Sequence, residues 1–154
     1  MIYWTDLYLR RDIDDMVIAA AVAAALGEST SAVAIVPYGT PKAKSAGTRP
    51  DVAILIQRQD LRRFGDASEW PYELAIGLRD GEPEDSLAAL RTIAHELRRP
   101  ILTDLPDDGQ DMYRIVFPNG DALPRLLDDN DEPMLTEADR RQLAAYDRLP
   151  TIAG

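Results

Sequence analysis

An uninterrupted apolar segment constrains the fold of this chain more than any other feature. From Met16 to Leu26 all 11 residues are apolar, and most of them are alanine. Asp12 and Asp15 suit the unpaired N–H groups of a helix start, and Gly27 suits a helix end. These signals predict a helix over residues 13–26. Because it is apolar on all sides, it must be covered on most of its surface, by another layer of the chain or by the same helix of a second subunit.

The same segment is too short to cross a membrane. It has 11 residues, whereas a transmembrane helix needs about 20. Residues Met1–Asp6 lack the basic and apolar regions of a secretory signal. The chain has no cysteine, which excludes disulfides, thiolate metal sites and cysteine nucleophiles. We therefore expect a soluble cytoplasmic protein that does not bind membranes.

Charge is distributed unevenly along the chain. The net charge is −10, of which −1 belongs to residues 1–79 and −9 to residues 80–154. An acidic surface repels phosphate groups, so we expect neither nucleic acid nor anionic lipid as a partner. The excess indicates either a solvated surface that maintains solubility or a patch that attracts a basic protein.

Alternating hydrophobicity and turn residues predict the other elements. The expected strands cover 2–9, 32–36, 52–56, 72–78, 101–105 and 112–117, and further helices cover 83–98 and 137–147. This order predicts an α+β fold, in which a mainly antiparallel sheet carries two helices on one face and a C-terminal helix is added. Its centre suggests a ferredoxin-like β-α-β-β-α-β plan. We expect a single domain over 1–154, with an acidic C-terminal extension from about 119.

Residues 38–50 are predicted to form a flexible loop, because they are rich in glycine, proline, serine and threonine. They contain the two lysines of the chain, Lys42 and Lys44, together with Arg49, and so form a basic island. A phosphate-binding role is not favoured, since the spacing differs from that of a P-loop.

No motif indicates catalysis or a bound metal ion. His95 is the single histidine, and Arg99 stands where a His-Glu-x-x-His zinc motif needs its second histidine. Residues 128–139 begin like a calcium loop, but Pro133 replaces the required glycine. We therefore predict no cofactor, no metal site and no catalytic residue.

Partner binding is the function that the residues favour. Trp4 and Tyr8 share a strand face with Asp6 and Arg10 in a regular alternation, and so could mark an exposed binding face. Acidic side chains in the C-terminal half would provide the remaining contacts, namely Asp104, Asp107, Asp108, Asp111, Asp128, Asp129, Asp131 and Glu132.

The resulting hypothesis is an acidic protein-binding module, of which one form is an inhibitor or immunity protein that neutralises a basic toxin or nuclease. A second hypothesis is a regulatory or structural module that forms a homodimer through helix 13–26. The third is a small hydrolase-type enzyme that uses His95 with carboxylates. These alternatives stay open on the sequence alone.

Overall fold

The computed structural model describes residues 1–65, 68–104 and 112–150. Within these residues all the strands lie in one seven-stranded mixed sheet of order β2-β3-β4-β1-β5-β6-β7. Each neighbouring pair is antiparallel except β2 and β3, which are parallel. The α+β class is therefore confirmed. In chain order the elements are β1 (Ile2–Leu9), α1 (Asp15–Leu26), β2 (Val33–Pro37), α2 (Pro41–Thr48), β3 (Ile54–Asp60), β4 (Tyr72–Leu78), α3 (Ser86–Leu97), β5 (Ile101–Thr103), β6 (Met112–Val116), β7 (Ala122–Leu126) and α4 (Glu137–Asp147).

Helices α1 and α3 contact each other and share the main hydrophobic cluster with the sheet. The strands contribute alternate residues to this cluster, such as Ile54 and Ile56 of β3 and Leu74 and Ile76 of β4. All four side chains are at most 1% exposed. Since successive strand residues point to opposite faces, this cluster defines one face of the sheet.

The opposite face is covered at its two ends by α2 and α4. A second cluster joins Leu143 of α4 to Leu102 and Ile115. Their strand neighbours Ile101 and Val116 belong to the main cluster, so Leu102 and Ile115 point the other way. Helix α2 lies against the other end of this face, where a Cβ atom built on its Gly47 would lie 3.6 Å from a methyl group of Leu55. The described helices thus contact both faces, whereas the sequence predicted two helices on one face.

Two predicted features differ from the observed fold. Residues 38–50 were expected to form a loop, but Pro41–Thr48 form α2, because Pro41 suits the first helical position and Ala43 and Ala46 are buried. Strand β7 was not expected, because Pro124 lies within it. An edge strand tolerates proline, and β7 is the outer strand at its end of the described sheet. The acidic C-terminal segment therefore contributes both β7 and α4 to the sheet and its second cluster.

The apolar helix is covered largely by the chain itself. In α1 the buried residues are Ile18, Ala19, Ala21, Val22 and Ala23, and they meet α3 and the sheet. A second subunit is therefore not needed to bury the helix, and homodimer formation through residues 13–26 stays a prediction. Within the described chain no helix is long and apolar enough to cross a membrane.

Candidate functional site: an acidic sheet face

A β-bulge decides which side chains of β1 face the same way. The register of β1 against β4 shifts between Tyr3 and Thr5, so the alternation is broken once at Trp4. Trp4 is only 3% exposed, belongs to the main cluster, and donates a hydrogen bond from its indole nitrogen to Oγ of Ser86 over 3.0 Å. The prediction that Trp4 shares an exposed face with Tyr8 is therefore wrong for Trp4. Tyr8 does lie on the face opposite the main cluster, packed against the second cluster.

Between α2 and α4 the second face of the sheet is polar, and we call this strip the open face. Its side chains are half-buried to exposed, and none is fully buried. The strip follows from the strand register, since residues paired across neighbouring strands point to the same side. Its members are Tyr3, Asp6, Tyr8, Gln57, Gln59, Glu73, Asp104 and Tyr113.

Three carboxylates lie side by side on the open face. Leu7 of β1 pairs with Thr103, the last residue of β5, and Asp104 follows directly in the chain. The backbone N–H of Asp6 donates to Oδ1 of Asp104 over 3.4 Å, which confirms their proximity. On the other side of β1, Glu73 is paired with Tyr8, one diagonal step from Asp6. The fold therefore gathers three acids from three different strands.

No arginine or lysine of the described residues forms an ion pair with these three carboxylates. Glu73 instead accepts a hydrogen bond from the Gln59 side-chain amide over 2.9 Å, and Asp104 accepts one from the Thr5 hydroxyl over 3.3 Å. Burial raises the pKa of Asp6 to about 6, and the negative charges of Asp104 and Glu73 add to the rise. The site therefore holds more negative charge than its own residues neutralise.

Three tyrosines border the carboxylates. Tyr3 lies near Asp6 and Asp104, whose negative charges act on its hydroxyl. The rings of Tyr8 and Tyr113 are stacked, with centroids 6.0 Å apart. Burial raises the pKa of each tyrosine, and the nearby carboxylates raise it further. All three hydroxyls thus stay protonated at neutral pH, and their rings provide flat surfaces next to negative charge.

The predicted acidic residues of the turn after β7 lie near one end of this face. Asp128 uses Oδ1 to accept the backbone N–H groups of Asn130 and Glu132, over 2.8 and 3.1 Å, so its carboxylate organises the turn. Asp129 and Asp131 are exposed. Asp131 is close enough to Tyr113 to raise its pKa. The turn therefore extends the negative surface beyond the sheet.

The structure brings together part of the predicted partner-binding set. Tyr8 stacks on Tyr113, and the charges of Asp104 and Asp131 both act on Tyr113, whereas Trp4 lies on the other side of the sheet. The predicted residues Asp107, Asp108 and Asp111 lie outside the described residues.

Sequence reasoning placed Asp6 on the predicted binding face of the first strand without naming it as a contact, and it did not include Glu73, Tyr3 and Tyr113. The alternation of 72–78 did indicate that Glu73 faces away from the core, and the same pattern applies to Tyr113. No local pattern, however, indicates that the strands of Glu73 and Tyr113 lie on either side of Asp6.

The features considered for catalysis do not assemble into a site in the described part of the chain. His95 is exposed on α3, with Nδ1 3.3 Å from the carbonyl oxygen of Pro118. Among the described residues, no group of three histidine or acidic side chains is arranged to hold a metal ion.

Comparison with known proteins leaves this geometry as the main guide to function. No known protein family matches the chain, and neither a curated protein nor a solved structure matches it. The comparisons therefore give no indication of catalysis.

Proposed function

We propose that this protein binds a positively charged partner protein through the open face. The observation that carries the proposal is the group of Asp6, Glu73 and Asp104, three adjacent carboxylates with no basic partner among the described residues. The finer form of the proposal is an inhibitor or immunity protein that neutralises a basic toxin or nuclease. It is supported by the net charge of −10, most of which lies in the second half of the chain.

The chemistry of the site favours arginine and lysine side chains as ligands. A guanidinium or ammonium group donates charge-assisted hydrogen bonds to carboxylates, and these bonds are stronger than those between neutral groups. The stacked rings of Tyr8 and Tyr113 offer flat, electron-rich faces on which a guanidinium can lie. Burial is the main cause of the raised Asp6 pKa, and a basic partner would offset the repulsion from Asp104 and Glu73 that adds to it.

The negative charge of this surface would speed the encounter with a basic protein. The exposed acids of the turn after β7 lie next to the open face, since the charge of Asp131 helps to raise the pKa of Tyr113. Surface charge of one sign steers an oppositely charged partner and raises its association rate, more strongly at low salt. We therefore expect association to slow as salt concentration rises.

We further propose that the central part of the chain follows the ferredoxin-like plan. Support comes from the order β3-β4-β1-β5, in which neighbouring strands are antiparallel, and from the contact between α1 and α3. In this plan β2 and α2 are an insertion before β3, and β6, β7 and α4 are an addition after β5. Many unrelated functions occur on such a fold, so the functional proposal rests on the open face alone.

The proposal is tested with two variants that lose the same charge. The site variant carries Asp6→Asn, Glu73→Gln and Asp104→Asn, and the control variant carries the exposed changes Asp80→Asn, Glu82→Gln and Glu84→Gln. Each variant and the unmodified protein are immobilised, and proteins retained from a lysate of the source cells are quantified. We expect a basic protein that the unmodified protein and the control retain, and that the site variant loses.

The captured protein is then purified, and its affinity and association rate are measured at several salt concentrations. We expect the site variant to bind at least about tenfold more weakly than the control. Equal affinities of the two variants for every captured protein would show that net charge, and not the open face, governs binding.

A further inference from the structure

A second surface, at the opposite end of the sheet, has the geometry of a strand-addition site. A cleft of about 510 Å³ lies between β2 and α2. Four consecutive residues of β2, Val33 to Val36, line it, although their side chains alternate between the two faces of the sheet. Because these four of the five β2 residues include side chains of both faces, the cleft runs along the backbone edge of the strand from Val33 to Val36. Its other wall includes Lys42 and Ser45 of α2.

The backbone of β2 presents hydrogen-bonding groups to this cleft. The carbonyl of Ala32 accepts from Ala53, and the N–H of Tyr38 donates to Arg58, so even-numbered residues of this segment turn their polar groups toward β3. In a regular ladder the groups of the intervening residue Ile35 then point away from β3. Within the described residues β2 is the outer strand, and no other strand pairs with this edge. An unpaired edge of this kind is a template for another extended chain.

The charge around the cleft differs from that of the rest of the molecule. Lys42 and Lys44 are the two lysines of the chain, and both lie on α2. Arg49, at the end of α2, is paired with Asp51 over 2.7 Å and also lines the cleft. Among the described lining residues, Lys42 is therefore the cation without an ion pair, and on a protein with net charge −10 it favours a negatively charged occupant.

We propose that an extended acidic segment of a partner protein binds as an added strand to the outer edge of β2, beside α2. The backbone of the segment pairs with Ile35 and with the carbonyl group of Val33, whose N–H already donates to the carbonyl of Thr30, and its acidic side chains on the α2 side contact Lys42. This surface is separate from the open face, and it binds an acidic ligand whereas the open face binds a basic one. Each proposal can therefore be tested without the other.

The first test uses a synthetic probe, the acetylated and amidated peptide with three Val-Glu repeats, labelled with a fluorophore. Fluorescence anisotropy measures its binding to the full chain, and the matched peptide with Val-Lys repeats is the charge control. Two further peptides carry N-methyl groups either on the valines or on the glutamates. Since alternate N–H groups of a strand point to opposite sides, one methylated set blocks pairing and the other does not.

The second test exchanges one charge at two positions of α2. Lys42→Glu alters a residue that lines the cleft, and Lys44→Glu makes the same change on the same helix at an exposed position that does not line it. We expect Lys42→Glu to weaken binding of the Val-Glu peptide at least about fivefold, and Lys44→Glu to weaken it less than about twofold.

Binding of the Val-Glu peptide that is lost with one methylated set and with Lys42→Glu supports the proposal. Absence of binding at about 1 mM peptide, equal effects of the two methylated sets, or equal effects of the two lysine variants overturns it. A dimer of the protein alone, found by sedimentation velocity and dissociated by Lys42→Glu, also overturns it, because the edge is then occupied by a second copy.

Discussion

The two faces of strands β3, β4, β1 and β5 differ in chemistry although both are formed by the same four strands. On the covered face, Ile56 and Ile76 are fully buried under α1 and α3. On the open face, the neighbouring positions in the same strands carry Gln57, Asp6 and Glu73, which are partly exposed. The covered face provides the hydrophobic stabilisation, which leaves the open face free to carry charges that do not stabilise the fold.

The comparison extends to single carboxylates on the second face. Asp139 of α4 is 2% exposed and is held by Arg125, whose Nε and Nη2 donate to it over 2.6 and 2.8 Å. Asp6 is partly exposed and faces other carboxylates. The arginine lowers the pKa of Asp139 to about 2, whereas the pKa of Asp6 is raised to about 6. The ionised Asp139 therefore stabilises the fold, whereas the ionised Asp6 adds negative charge that lowers the stability.

The largest expected effect is a difference in the free energy of unfolding between substitutions on the two faces of β3. Ile56→Ala removes a fully buried side chain from the main cluster, and should lower the free energy of unfolding by about 2–5 kcal/mol. The adjacent change Gln57→Ala, on the open face, removes only the exposed hydrogen bond that its side chain accepts from the Gly39 N–H, and should lower it by no more than about 1 kcal/mol. Urea unfolding followed by circular dichroism measures both. Similar losses for the two variants would contradict the division of roles between the faces.

An intermediate effect is expected at the paired carboxylate. Arg125→Ala leaves the buried Asp139 without its cation and should cost about 2 kcal/mol at neutral pH. Because the folded-state pKa of Asp139 is depressed, this difference should be fully present above about pH 4 and should vanish as the pH falls toward 2. Arg141→Ala breaks an exposed i,i+4 pair with Glu137 on the same helix, and its cost should be about 0.3–0.5 kcal/mol. A loss for Arg125→Ala that does not depend on pH would show that the charge pair is not its cause.

The smallest expected effect has the opposite sign. The raised pKa of Asp6 means that the folded protein binds a proton more tightly than the unfolded chain, so stability is lost as the pH rises through about 6. Asp6→Asn removes this dependence and should stabilise the protein by about 1 kcal/mol at pH 7, after allowance for solvent screening. At about pH 4 the variant and the unmodified protein should be equally stable. Unfolding in urea at both pH values measures the difference, with Glu84→Gln as the exposed control. If Asp6→Asn lowered the stability at pH 7, the ionised Asp6 carboxylate could not be destabilising in the folded protein.

Much of the fold was predictable because local signals agreed with the tertiary environment. The helix over 137–147 begins at a capping box formed by Thr136 and Asp139, and it was predicted within its observed bounds. Strand β4 and helices α1 and α3 were also predicted close to their observed bounds. Helix α2 was missed because its eight residues include glycine, serine and threonine, which usually indicate a loop.

The candidate site was predicted less well than the fold. A period-two pattern assigns faces only while the strand is regular, and the bulge after Tyr3 moved Trp4 into the core. The acidic residues were identified by their number in the second half of the chain, whereas two of the three central carboxylates, Asp6 and Glu73, lie in the first half. Composition by segment could not reveal a cluster whose members come from three strands distant in sequence.

The amino-acid sequence by itself determined the class of fold, the positions of three of the four described helices and the excess of negative charge. These properties depend on residue type and short-range spacing, which act before the chain is folded. Only the tertiary structure decided that Asp6, Glu73 and Asp104 lie together, and that β2 and α2 form a basic cleft. Strand order and register control both arrangements, and they depend on which distant segments bury their apolar faces together.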